Sequence, residues 1–298
     1  MDDLREVGCR FSPWANIFAR LRNICRWLNI SRPLNSNSSA KLHAKRIRTC
    51  RLRSARAQLL SCGRFSSRRS LVMERDRSRI AAVIPAYQEE KHVGEVAQRT
   101  RAQLENVLVV DDGSTDATAE RARSSGVDVV IHPQNRGKGE SIKTGLRYWL
   151  ERGSEYVVLL DADGQHLPEE ISRFVDSAAS ESNAKIFIGS RMNDTSAMPL
   201  VRRIVNRYMS GEISRVCGQQ IPDTQCGFRM LHRDIIPEVL SGASRFEYET
   251  EMLIIASRKG HRVASVPITT VYSDEVSSIN PVRDTMRFFK LMRRYRNL

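Results

Sequence analysis

From residue 80 onward, short runs of apolar β-formers alternate with longer stretches of mixed polarity. The runs are 80–84, 107–110, 127–131, 156–160 and 185–188. Strands this short and this apolar, separated by helix-sized segments, predict a mostly parallel sheet with helices on both faces. Pro85 ends the first run. Helices are expected over 91–104, 138–151 and 168–179, the second with Ile142, Leu146 and Trp149 on one side. Another follows Asp116, which can cap it, with Glu120 near its first turn.

Upstream of residue 80 the pattern changes. Phe11, Trp14, Phe18, Leu21, Cys25 and Leu28 recur at spacings of three and four, flanked by Arg20, Arg22 and Arg26. Such a stripe over 11–28 suits a helix lying on an anionic membrane surface, and it also suits a chance pattern in a tail. Residues 31–79 are rich in Ser and Arg and predict disorder. An Arg- and Ser-rich, acid-poor segment also fits a targeting peptide. Met73, seven residues before the first strand, is a candidate translation start. The expected division is a basic extension over 1–78 and a single catalytic domain over 79–298.

Charge follows this boundary. Residues 1–73 hold 16 of the 48 Lys+Arg but 3 of the 34 Asp+Glu, so the remainder is nearly neutral despite the overall +14. The domain therefore has no global nucleic-acid signature. Hydrophobic content of 41% and charged content of 28% fit a globular protein. No run of about 20 apolar residues exists to span a bilayer. Cys9, Cys25, Cys50 and Cys62 lie in the extension, and only Cys217 and Cys226 in the domain. Without a CxxC pair, zinc is not expected; two free thiols in a cytoplasmic, reducing setting are.

Ligands of parallel sheets bind outside the carboxyl ends of the strands. Polar clusters stand at three such ends: 85–89, 111–116 and 161–166. Asp161 and Asp163 repel each other at a low-dielectric rim unless a cation lies between them. Mg2+ or Mn2+, which take oxygen ligands and often hold substrate phosphates as well, would resolve this. The Gln165 amide can add a ligand, and Gly164 lets the backbone come close. Taken alone, such a pair is more often a turn that starts the helix at Pro168; two further polar rims shift that reading.

"AAVIPAYQEE", "VLVVDDGSTDATAE", "NRGKGESIKTGL", "VVLLDADGQHLPEEI", "IGSR" and "DTQCGFRML" occur in order. Together they resemble the family 2 glycosyltransferases, and most closely the dolichol- or polyprenyl-phosphate mannosyltransferase type. The resemblance runs from about residue 80 to about 289. It implies a GT-A fold, a Rossmann-like α/β domain, and a nucleoside-diphosphate sugar as donor. Pro85, Tyr87 and Glu89 would line the nucleotide pocket, with Tyr87 against the base. Asp112 would bind base or ribose near Val110, and Ala162 would pack against the ribose. Asp161, Asp163 and Gln165 would hold the metal. Arg191 and Arg202 would face phosphates, and Asp223 would stand beside the donor sugar.

Plainer roles compete at several positions. Pro85 can simply terminate a strand and Tyr87 can simply pack. Asp111 and Asp116 read as turn and cap residues. The Arg136-Gly-Lys-Gly139 stretch lacks the spacing of a phosphate loop and leaves Lys138 a weak candidate. Glu247, Glu249 and Glu251 read as a helix start with one core-facing carboxylate. His166 reads as a capping or supporting group.

The resemblance implies an inverting, metal-dependent hexosyl transfer to a polyprenyl phosphate. Transfer to a sugar hydroxyl in cell-envelope glycan synthesis is the alternative, with Asp223 as the base. Asp274 and Glu275 favour that alternative, because the subgroup tends to carry basic residues in that loop. A nucleotidyltransferase is a more distant rival; it would show a Gly-rich loop and a basic run after the first strand. A nucleotide-binding module without activity would not need Asp161, Asp163 and Gln165. The stretch 283–296, basic with Met286, Phe289 and Met292, suits either peripheral membrane contact or ordinary packing. Nothing in the sequence sets the oligomeric state.

Overall fold

The computed structural model describes residues 77–193, 198, 200–241, 247–269, 288 and 291–295. The expected features over 11–28, 31–76 and 274–275 lie outside these residues. The described part is organised by a seven-stranded sheet of order β3-β2-β1-β4-β6-β5-β7. Its strands are β1 (Ile80–Ala86), β2 (Asn106–Asp111), β3 (Asp128–Ile131), β4 (Tyr156–Leu159), β5 (Ala184–Ser190), β6 (Arg229–His232) and β7 (Arg262–Pro267). All pair in parallel except β6, which runs antiparallel between β4 and β5.

All seven residues of β1 are buried, so both faces of the central strand are covered. Helices α1 (Val93–Arg101), α2 (Thr118–Ser124), α3 (Lys138–Glu151), α4 (Ile171–Ser180), α5 (Leu200–Cys217), α6 (Ile236–Val239) and α7 (Glu247–Arg258) supply the cover. Helix α3 lies close on β1: a Cβ on Gly145 would stand 2.3 Å from Val83 Cγ1. On α4, Phe174 stacks at 4.3 Å on Phe228, which leads into β6.

Strand β1 runs two residues further than expected, through Pro85. Leu160 N donates to Val83 O, and Asp112 N donates to Ala86 O, so residue 85 points toward the β4 side. Strand β4 pairs with β1 only as far as Leu159, opposite Val83, so the missing proline N–H leaves no ladder bond unmade. Strand β3 is an edge strand and only half-buried. At the C-terminal end, Leu291 and Met292 are buried, and the Tyr295 hydroxyl donates to Glu251 Oε1 at 3.2 Å. The described part of 283–296 therefore packs on the domain through α7.

Candidate active site

The loops after β1 and β2 are tied together. Gln88 N donates to Ser114 Oγ at 2.9 Å, Gln88 Nε2 to Thr115 Oγ1 at 2.8 Å, and Glu89 N to Thr118 Oγ1 at 2.8 Å. Gln88 adopts φ 58°, a left-handed conformation costly for a residue with a Cβ, and these bonds hold it there. Beside it Tyr87 is 47% exposed at the rim, where a flat base could stack. Pro85 and Val110 are paired in register and buried beneath it. Asp111 accepts from Ser114 N, and Asp116 accepts from Thr118 N, the turn and capping roles expected of them.

Asp112 is engaged by the loop before α3. Its buried carboxylate accepts from Arg136 N at 3.0 Å and Gly137 N at 2.7 Å, and contacts His132 Nδ1 at 2.7 Å. It clamps the loop before α3 and so fixes the position of Lys138, the first residue of that helix. Gly137 carries φ 95° at the turn.

Lys138 is central to the acidic rim. Its Nζ stands 2.7 Å from Asp161 Oδ1 and 2.9 Å from Glu249 Oε2, in the first turn of α7. Burial disfavours the ammonium, but the two carboxylates outweigh it and raise Lys138 above the ordinary lysine value. Burial likewise pushes the Asp161 carboxyl up; Lys138, with His166 and Arg229 behind it, reverses this and holds it at about 2. Asp163 is raised, by burial first and then by the Asp161 charge. Its Oδ1 accepts from Gln165 N at 3.0 Å. Ala162 is buried between the two carboxylates.

The far side of Asp161 is closed by backbone. A Cβ on Gly227 would lie 2.4 Å from Asp161 Oδ2, so any larger residue there must displace the carboxylate. His166 is buried, stacks at 5.4 Å on Phe228, and leaves Nδ1 without a hydrogen-bond partner among the described residues. Cys217 and Cys226 are free, and burial pushes the Cys226 thiol up to about 12, so it stays protonated.

Arg191 leaves the end of β5 and pairs with Asp223 in a bidentate fork, Nε to Oδ2 at 2.7 Å and Nη2 to Oδ1 at 2.9 Å. The amides of Arg191 and Gln225 donate to the same carboxylate. Asp223 is 0% exposed. Its oxygens hold Arg191 in place and do not face an open pocket. The loop that carries it is anchored by Arg229, fully buried, which donates to the carbonyls of Cys226, Thr224 and Glu249. Arg202 lies in the first turn of α5.

The structure thus brings Asp161, Asp163, Lys138, Glu249 and Gly227 to one point, with Arg191 and Asp223 held on the neighbouring strand end. Glu249, Gly227 and Arg229 carried no site role in the sequence. The partners of Glu249 and Gly227 lie far along the chain, whereas Arg229 donates mainly to carbonyls a few residues before it.

A hard divalent cation fits this rim. Two carboxylates offer oxygen ligands, one of them already faces a cationic side chain, and the uncompensated charge is that of Asp163. Among the described residues no group of three or more His, Cys, Asp or Glu forms a metal cage. An ion here would need further oxygens, as magnesium and manganese commonly take from substrate phosphates.

A mostly parallel sheet with an acidic pair after β4 and one antiparallel strand beside it is the GT-A arrangement of glycosyltransferases. Residues 81–240 match Glycosyl transferase family 2. The chain is 31% identical to the UDP-N-acetylglucosamine–dolichyl-phosphate N-acetylglucosaminyltransferase of Methanococcus voltae, over 65% of this chain and 86% of that protein. It is 32% identical to the polyprenol monophosphomannose synthase of Mycolicibacterium smegmatis, over 65% of this chain and 78% of that one. In fold it is similar to glucosyl-3-phosphoglycerate synthase from Mycobacterium tuberculosis, solved with Mn2+, UDP and glucosyl-3-phosphoglycerate. There the TM-score is 0.55 at 19% identity, covering 71% of this chain and 76% of that one. The chain belongs to glycosyl transferase family 2 and is an enzyme of that family.

Proposed function

We propose that this enzyme transfers a sugar from a nucleoside-diphosphate donor to a polyprenyl phosphate, with inversion at the anomeric carbon. The relatives named above act on dolichyl phosphate or make polyprenol monophosphomannose, and the sugar differs between them, so the sugar is left open. The observation that carries the acceptor is the state of Asp223. A hydroxyl acceptor needs a carboxylate to take its proton. Asp223, the best-placed candidate in the sequence, is fully buried and committed to Arg191 through both oxygens. A phosphate acceptor is already an anion and needs no base.

In this mechanism Tyr87 stacks on the base, with Pro85, Glu89 and Val110 forming the wall behind it. Asp112 acts by closing the loop that presents Lys138, and Ala162 leaves room for the ribose. A phosphate oxygen of the acceptor attacks C1, and the bond from C1 to the leaving diphosphate breaks on the opposite side. Mg2+ or Mn2+ bound by Asp161, Asp163 and Gln165 would neutralise the charge gathering on that diphosphate. Arg191, fixed by Asp223, and Arg202 add positive charge at the rim and orient the anions. The products are a nucleoside diphosphate and a lipid-linked sugar phosphate.

Among the described residues no helix is long and apolar enough to cross a membrane. Helix α5 exposes Leu200, Ile204 and Val205 with Arg207 beside them, a surface suited to peripheral contact with the cytoplasmic membrane face. A lipid acceptor requires such an approach.

The test is Asp223→Asn. A positioning role predicts a roughly tenfold loss in transfer with Arg191 loosened, whereas loss of a general base costs on the order of 10²–10⁴. A near-total loss, in a variant that keeps its fold by circular dichroism, would instead favour a hydroxyl acceptor.

A further inference from the structure

We infer that Lys138 is an exchangeable counter-ion that occupies Asp161 until the donor arrives, so that metal and nucleotide load together. The inference rests on the metal reading of Asp161 and Asp163 given above. Asp161 has two oxygens. Gly227 lies close against the carboxylate, where an added Cβ would meet Oδ2 at 2.4 Å and Oδ1 at 2.8 Å, and Oδ1 also carries the Lys138 ammonium at 2.7 Å. A dication that reached Oδ1 at ordinary ligand distance would sit next to that ammonium, and like charges this close repel strongly at a partly buried site.

Lys138 has a second carboxylate to hold it when it leaves. Glu249 Oε2 stands 2.9 Å from the same nitrogen and comes from α7, a different element. A small rotation of the lysine about its long stem gives up the Asp161 contact and keeps the one to Glu249, so the ammonium is never left without a carboxylate. The arriving donor diphosphate offers further negative charge to the same ammonium. The backbone is set for this exchange: Asp112 pins the amides of Arg136 and Gly137, so the base of the Lys138 stem does not move. Arg229 donates to the Glu249 carbonyl and fixes the receiving end.

Without nucleotide, Lys138 therefore competes with the metal for Asp161. Diphosphate relieves that competition, and by linkage metal improves nucleotide affinity by the same factor. Lysine, a flexible point charge, suits a group that must change partners; a planar guanidinium would stay fixed.

The experiment measures Mn2+ binding to the full chain from the EPR signal of free Mn2+, with and without UDP. It compares wild type, Lys138→Met, Lys138→Gln and Lys138→Arg, each checked for fold by circular dichroism. Lys138→Gln, which retains a polar N–H donor without the charge, serves if the methionine variant does not fold. The expected result is that the two neutral variants bind Mn2+ about tenfold more tightly than wild type in the absence of UDP, while Lys138→Arg does not. Neutral variants that bind Mn2+ no more tightly than wild type, when wild type does bind it with UDP, would overturn the counter-ion role alone. No Mn2+ bound by wild type even with UDP would overturn the metal reading and the inference together.

Discussion

Replacing Gly227 by alanine drives a methyl group into the Asp161 carboxylate. The new Cβ would stand 2.4 Å from Oδ2 and 2.8 Å from Cγ, where ordinary contact begins at 3.4 Å. Asp161 must retreat by roughly 1 Å, and a displacement of that size in a reacting assembly costs on the order of 10²-fold in rate. Stability should change little, because the displaced atoms are the end of a rotatable side chain. Gly145→Ala makes the opposite demand. Its Cβ would meet Val83 Cγ1 at 2.3 Å and Cγ2 at 2.6 Å, inside the packing of α3 on β1. Overpacking there costs roughly 1–3 kcal/mol, offset in part by about 1 kcal/mol of helix propensity. Each net kcal/mol lowers Tm by roughly 2–4 °C in a domain of this size. The assay pairs thermal melts with donor turnover per folded enzyme. Gly227→Ala should melt near wild type and turn over about a hundredfold slower; Gly145→Ala should melt lower and turn over near normally. Normal turnover in Gly227→Ala would refute the placement of Asp161 at the reacting centre.

Asp163→Asn should remove transfer yet raise stability. Burial and Asp161 raise the folded-state value of this carboxyl, so its ionised form destabilises the metal-free fold above that value, and the penalty vanishes as pH falls and the group protonates. The variant should melt roughly 2–4 °C above wild type at pH 7 and lose that advantage in acid; a lower Tm at pH 7 would contradict the repulsion. Arg229→Met should destabilise by more than about 3 kcal/mol, since it leaves the carbonyls of Cys226, Thr224 and Glu249 without donors, and chemical denaturation measures this directly.

Much of the sheet could be read from runs such as 156–160, because a strand buried on both faces is uniformly apolar. Strand β6 could not: Arg-Met-Leu-His carries a charge at one end and a histidine at the other, and its arginine is buried only because three backbone carbonyls receive it. Helix α5 escaped notice because Leu200, Ile204 and Val205 point outward and blur the buried stripe. At the site, Asp161 and Asp163 were legible from their spacing after a strand. Glu249 was not, since its contact with Lys138 joins α7 to the start of α3. Nor were the contacts of Asp112 with the Arg136 and Gly137 amides, which a carboxylate at a strand end does not announce.

Transfer to a lipid phosphate is tested most directly by the chemistry of the product. Donor sugar labelled at C1, as its UDP or GDP derivative, is incubated with the enzyme, Mn2+ and a polyprenyl phosphate, and the organic phase is analysed. The account predicts label in a lipid-linked sugar phosphate of inverted anomeric configuration, lost on chelation of the metal. Label that stays out of the lipid phase with every donor, but appears on a sugar hydroxyl acceptor, would contradict it.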